Sequence, residues 1–135
     1  MSSEKDLQRL LKSMNPVLDA TPYIFCTKSF NDTAQTKLDP LCTFREEEGL
    51  TMILERRQAD QAGIRYNMVF SRITLNIHSS LEAVGFTSAV AAELTKNGIP
   101  ANIVAAFYHD HLFIPFARAA DCMQVLLQLK EKSGK

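Results

Sequence analysis

The sequence predicts an α+β fold of the ferredoxin-like βαββαβ type, arranged as two interlocked units in tandem, with helices covering one face of the sheet. Polarity alternates from Val69 to His78, which is typical of a strand with one buried face. Apolar residues then recur at helical spacing from Phe86 to Leu94. Two more strands and a helix follow, so the order is strand, helix, strand, strand, helix.

The first helix of this second half is bounded by clear local signals. Ser79 and Glu82 have the spacing of a capping box, but Gly85 weakens a helix, so we expect one turn to break at Gly85 and the main helix to begin at Thr87 or Ser88. The run Asn97-Gly98-Ile99-Pro100 predicts its end, because glycine can turn left-handed there.

The remaining elements of the second half are predicted as strands over 101–107 and 111–116 and a helix from about Ala117. Lys130 and Lys132 suit the carboxyl end of that helix. This set lacks the final strand of a βαββαβ unit.

The first half gives a related but broken pattern. A helix is predicted over 4–14, and the other segments are a strand over 23–27, a polar loop over 28–39, strands over 41–45 and 50–54, and a helix from Arg56 to Gly63. We therefore divide the chain into an N-terminal half, 1–65, and a C-terminal half, 66–135. Each half is complete only if strands are shared between them.

Charge content bears on the partners of the protein, and cysteine content bears on its cellular compartment. Lys plus Arg and Asp plus Glu number 15 each, with no basic cluster, which disfavours nucleic acid and membrane surfaces as partners. Cys26, Cys42 and Cys122 are widely separated and show no CxxC spacing. The sequence shows neither an export signal nor a long apolar run, so we expect a cytoplasmic protein. Its thiols should therefore be reduced.

Three stretches carry a resemblance to a known family: "FREEEGLT" at 44–51, "HSSLEAVGFT" at 78–87 and "HDHLFIP" at 109–115. The sequence from about Tyr23 to Leu129 resembles the ACT domain, and more narrowly small bacterial tandem-ACT proteins. The resemblance implies paired βαββαβ units that bind an amino acid or similar effector where one unit meets its neighbour. Our leading interpretation is a noncatalytic sensor that assembles into a homodimer and uses no cofactor. The usual Pro-Gly of the ACT loop is Val84-Gly85 here.

The expected ligand site combines that loop with the following edge strand. Free amides at the helix start could hold a carboxylate, while Glu82, Asn102 or backbone carbonyls could meet an ammonium group. The alternative is that Gly85 only allows close helix packing. The candidate ligand-binding residues are Ser79, Ser80, Leu81, Glu82, Ala83, Val84, Gly85, Phe86, Thr87, Asn102, Ile103 and Val104.

The histidines of "FYHDHLFIP" leave three interpretations open. His109 and His111 supply too few ligands for zinc alone, and His78 falls at the other end of the predicted sheet. A hairpin turn at Asp110 requires no further partner, while a metal or proton-sensing role and direct ligand contact are the alternatives. We predict no metal site.

An enzyme is not indicated by this sequence. The carboxylates of Glu46-Glu47-Glu48 fit a solvated turn before Gly49 better than an acid-base pair, and no nucleophile or phosphate-binding motif occurs. The alternative to a ligand sensor is a structural or protein-protein interaction module with no small ligand.

Overall fold

A computed structural model describes residues 3–32, 37–77 and 85–133 of the chain. Its elements, in chain order, are α1 Ser3–Ser13, β1 Asn15–Lys28, β2 Cys42–Arg45, β3 Leu50–Glu55, α2 Arg56–Ala62, β4 Phe70–Asn76, α3 Phe86–Lys96, β5 Asn102–Ala105, β6 Asp110–Pro115, a 3-10 helix Phe116–Arg118, and α4 Ala119–Lys132. Hydrogen-bonded neighbours follow the order β2-β3-β1-β4-β6-β5. The predicted α+β, ferredoxin-like fold is confirmed.

The chain divides into two compact units. Unit 1 is formed by Met1–Ala20 and Ser71–Lys135, and unit 2 by Thr21–Phe70. Strand β1 contributes its first residues to unit 1 and its later residues to unit 2. The predicted division at residue 65 stays a prediction.

Unit 1 packs its helices on one face of the strands β1, β4, β6 and β5. On β4 the residues Ser71, Ile73 and Leu75 are buried, while the intervening Arg72 and Thr74 are only partly so, as the alternation predicts. Helices α1, α3 and α4 cover the buried row. The core consists of Leu11, Met14, Ile73, Leu75, Ile77, Phe86, Val90, Leu94, Ile99, Leu112, Ile114, Cys122, Val125, Leu126 and Leu129.

Unit 2 has a smaller core beneath α2. Strand β3 pairs antiparallel with both β1 and β2, with Ile24 opposite Leu54 and Cys26 opposite Met52. Helix α2 ends at Gly63, whose φ of 69° is left-handed, as the glycine there predicts. Its core is Ile24, Met52, Leu54 and Ala59.

The structure differs from the predicted elements at β1, α3 and the hairpin. Strand β1 starts at Asn15, well before the predicted 23, and α3 starts at Phe86, just after the glycine. The hairpin turn lies at Ala106–His109, where the amide of Ala106 donates to the carbonyl of His109 at 3.1 Å. Asp110 is the first residue of β6, not the turn residue, because it pairs with Ala105.

Candidate functional site

The start of α3 shows why the sequence places a glycine there. Gly85 occupies the N-cap position with a left-handed φ of 89°, a conformation that residues with a Cβ rarely adopt. Its carbonyl accepts a bond of 2.9 Å from the amide of Ala89, which starts the helical ladder. Glycine has no side chain to cap the helix, so the first backbone amides of α3 need hydrogen-bond acceptors from other groups. The predicted carboxylate site requires this property.

Helix α1 lies directly against this glycine. A Cβ placed on Gly85 would be 3.6 Å from Cδ2 of Leu7, an ordinary van der Waals contact. A Cβ would therefore fit beside Leu7, so the left-handed φ, rather than close packing, is what requires glycine at this position. The contact also means that one side of the α3 start is covered by the chain's own α1.

The predicted site residues fall into three groups. Ser79, Ser80, Leu81, Glu82, Ala83 and Val84 lie outside the described residues, as does His78. Phe86 is buried in the core of unit 1, and Ile103 packs against that core. The side chains of Thr87 and Val104 are partly exposed, and that of Asn102 is exposed.

Strand β5 divides its three candidate residues between two faces of the sheet. In the β5–β6 ladder, Asn102 is opposite Phe113, Ile103 is opposite Leu112, and Val104 is opposite His111. Residues directly opposite share a face, so Ile103 faces the helices while Asn102 and Val104 face away from them. Strand β5 is also the last in the strand order, so its outer edge has no neighbouring strand among the described residues.

The helix-free face of unit 1 carries a polar cluster that sequence reasoning missed. Nη2 of Arg72 donates to Oδ2 of Asp19 at 2.8 Å, and both side chains are about a quarter exposed, at 24% and 25%. Thr74 and His111 are linked through Oγ1 and Nδ1 at 2.9 Å. The polar row of β4 was visible in the sequence, but its partner Asp19 lies in a stretch that we did not predict to be a strand.

Burial shifts the pKa of two groups around the hairpin in opposite senses. The pKa of His111 is lowered by burial first and then by the nearby charges of Arg72 and His109. The pKa of Asp110 is raised by burial, which His109 partly opposes. Among residues 3–32, 37–77 and 85–133, no group of three or more His, Cys, Asp or Glu side chains could hold a metal ion. The hairpin turn lies at 106–109, with Asp110 as the next strand residue, and the roles of His109 and His111 stay predictions.

The described part of the chain contains no helix that is both long and apolar enough to cross a membrane.

The carboxylates of Glu46, Glu47 and Glu48 are exposed at the β2–β3 turn, where the amide of Glu46 donates to the carbonyl of Gly49 at 2.9 Å. The side chain of Glu46 accepts a hydrogen bond from the hydroxyl of Thr51. This arrangement agrees with a solvated turn.

The fold is of the α+β, ferredoxin-like class and is built from two compact units. Family models described as ACT domain match residues 2–71 and residues 71–128. The chain therefore belongs to the ACT domain family, with two such domains in tandem. ACT domains are typically regulatory domains that bind small molecules such as amino acids, and they are not catalytic.

Similar solved structures include a protein of unknown function and the regulatory subunit of an enzyme. A Vibrio cholerae protein of unknown function, described as a possible transport protein, is 45% identical with a TM-score of 0.85, over 96% of this chain and 99% of that chain. An Agrobacterium tumefaciens protein is 16% identical with a TM-score of 0.69, over 87% and 89%. The regulatory subunit of aspartate kinase from Thermus flavus is 9% identical with a TM-score of 0.62, over 84% and 95%, and shows the fold alone. No curated protein sequence matches the chain.

Proposed function

We propose that the protein is a noncatalytic cytoplasmic regulator that binds a small effector, an amino acid, at an interface between ACT units of a homodimer. The observation that carries this proposal is the tandem match to two ACT domains, since that family typically binds such ligands. The proposed site is the α3 start with the preceding loop, together with strand β5.

The α3 start supplies the groups that would hold the carboxylate of the effector. The first amides of a helix point outward and carry partial positive charge, which favours an anion. Thr87, in the first turn of α3, is partly exposed and adds a hydroxyl group to this end of the helix. Glu82, Asn102 or backbone carbonyls would then meet the ammonium group, as predicted from the sequence.

The exposed edge of β5 supplies the contact with a second copy. An edge strand presents unpaired amide and carbonyl groups, which favour pairing with another chain. An effector that touches both copies binds the assembled state better than the separated chains, so it shifts the equilibrium towards assembly. Regulation would follow from that shift.

A structural interaction module with no small ligand is the alternative. The position of Leu7 beside the α3 start favours it, because the chain's own α1 then occupies one side of the proposed site. This module would form the same homodimer through β5.

A thermal-shift screen against the common amino acids distinguishes the two functions. The sensor requires a saturable rise in Tm for at least one amino acid, and both Thr87→Val and Asn102→Leu should reduce it. Thr95→Val, on the exposed far end of α3, is the matched control. Gly85→Val is unsuitable because the φ of 89° would strain any residue with a side chain. Flat curves for every amino acid would leave the structural module.

A further inference from the structure

A cavity of about 130 Å³ opens in unit 2, at the end of β1. One water needs only about 10–15 Å³ of such volume, so the cavity can hold a small organic molecule. Its lining includes Lys28, Asp32, Leu38, Met52, Ala62 and Ile64. All of these residues belong to unit 2, and none is among the residues predicted for the effector site in unit 1.

Lys28 occupies an unusual place for a charged residue. On β1, Ile24 and Cys26 face the core of unit 2, and Lys28 is the next residue on the same side of the strand. Lys28 pairs with Leu50 of β3, just as Ile24 pairs with Leu54 and Cys26 with Met52. Its side chain is partly buried. An ammonium group at the end of an apolar row, beside a cavity, favours an anionic partner there.

The opposite charge is supplied by Asp32. Its amide donates to the carbonyl of Ser29 at 3.1 Å, so the chain turns just after β1, and the exposed Asp32 is among the residues that line the cavity. The lining thus includes one basic and one acidic residue, which together match the two charges of a zwitterion.

The apolar wall of this cavity is held by fixed contacts. The side chain of Gln58 donates to the carbonyl of Asp39 at 3.0 Å and accepts from its amide at 2.8 Å, which positions the neighbouring Leu38. The amide of Ile64 donates to the carbonyl of Ala59 at 2.9 Å, just after α2 ends. Met52 is 4% exposed and forms part of the core.

We propose that this cavity binds a free amino acid with an apolar side chain. The carboxylate of the bound amino acid pairs with Lys28, and its ammonium group pairs with Asp32. The side chain of the bound amino acid contacts Leu38, Met52 and Ile64. Small-molecule sites commonly combine a mainly apolar wall with a few placed polar groups. The inference rests on the proposed function only for the ligand class, because it assigns a separate site in unit 2.

The test is NMR on the full-length protein labelled at its methionine methyl groups, titrated with L-valine and L-leucine. Met52 lines the cavity, whereas Met14 and Met123 lie in unit 1. We expect the Met52 signal to shift in a saturable way. Valinamide lacks the carboxylate and N-acetylvaline lacks the ammonium group, so each should bind at least about ten-fold more weakly, equivalent to about 1.4 kcal/mol.

Variants separate this site from the one in unit 1. Lys28→Met and Asp32→Asn should each weaken the Met52 response at least about ten-fold, while Lys96→Met, on the exposed end of α3, should not. A normal Tm for each variant would show that it is folded.

Each outcome decides between the two sites. An unchanged Met52 signal, or a response that Lys28→Met leaves intact, would overturn the inference. If amino-acid binding were then abolished by Thr87→Val, the proposed function would stand without it. A Met52 response that Lys28→Met abolishes and that Thr87→Val and Asn102→Leu leave intact supports the inference, whatever the outcome of the thermal-shift test of the unit 1 site.

Discussion

Nδ1 of His111 lies 2.9 Å from the hydroxyl oxygen of Thr74, on the helix-free face of unit 1. A neutral imidazole nitrogen can accept or donate in this bond, but a protonated one can only donate. Burial and the Arg72 charge both oppose that proton, which lowers the pKa of His111. The pair therefore favours the neutral ring.

Stability should fall as the solution becomes mildly acidic. Above the ordinary histidine pKa of about 6.5 both folded and unfolded chains are neutral at His111, and its contribution is fully present. As the pH drops through that value the unfolded chain takes the proton first, so stability declines until the lower, folded-state pKa is reached. Urea unfolding across this range measures the decline.

His111→Gln should make the pH profile shallower, since glutamine keeps an amide able to bond Thr74 but does not titrate in this range. His109→Gln is the control and should keep more of the slope. Equal slopes for the two variants would contradict the assignment of the decline to His111.

The ion pair of Arg72 and Asp19 should be worth more than a surface pair. Both side chains are about three quarters buried and their nearest atoms are 2.8 Å apart. Asp19→Asn should lower the free energy of unfolding by roughly 1–2 kcal/mol, between the values for exposed and buried pairs. A double-mutant cycle with Arg72→Met measures the coupling, and additive effects would show that the pair contributes nothing beyond its separate residues.

Gly49 should tolerate no side chain. A Cβ there would lie 2.8 Å from the carbonyl oxygen of Lys28 and 3.0 Å from Oγ1 of Thr27. Gly49→Ala should therefore cost roughly 1–3 kcal/mol through overpacking. Gly63→Ala is the comparison, because nothing lies within 4 Å of its Cβ and only the left-handed φ of 69° opposes it. Chemical denaturation of both variants would show the larger loss at Gly49, and the reverse order would refute the steric argument.

The three thiols should react with Ellman's reagent at different rates. Cys122 is fully buried, and burial raises the pKa of its thiol to about 12. Burial also raises the pKa of Cys26. Because the thiolate is the reactive form, Cys42 should be labelled first and Cys122 only on unfolding. Cys42→Ser should remove the fast phase, and rapid labelling of Cys122 in the native protein would be the contrary result.

Strong periodicity made most of the fold predictable. The alternation along β4 and the glycines after α2 and α3 gave elements within a few residues of those observed. The first part of β1 was missed because Pro16, Asp19 and Pro22 interrupt any apolar pattern there. Asp19 is accommodated in a strand through Arg72, more than fifty positions away, and local sequence does not show such a partner.

The candidate site was less accessible to sequence reasoning. Gly85 was identified as a special backbone position, but its neighbour Leu7 comes from a different helix, so the packing could not be inferred locally. Strand alternation predicts that Asn102 and Ile103 face opposite sides, but it does not say which of them faces the helices. The pairing of Ile103 with the buried Leu112 settles that.

Because unit 1 takes pieces from both sides of unit 2, the order of synthesis and the order of folding differ. The strand segment over 15–20 is made early, yet its neighbour β4 leaves the ribosome only after all of unit 2. Unit 2 can therefore form first, while the early segment waits for a distant partner, and such delayed pairing is intrinsically slow. The nascent chain would expose that segment until β4 is made, and α1 until α3 and α4 are made.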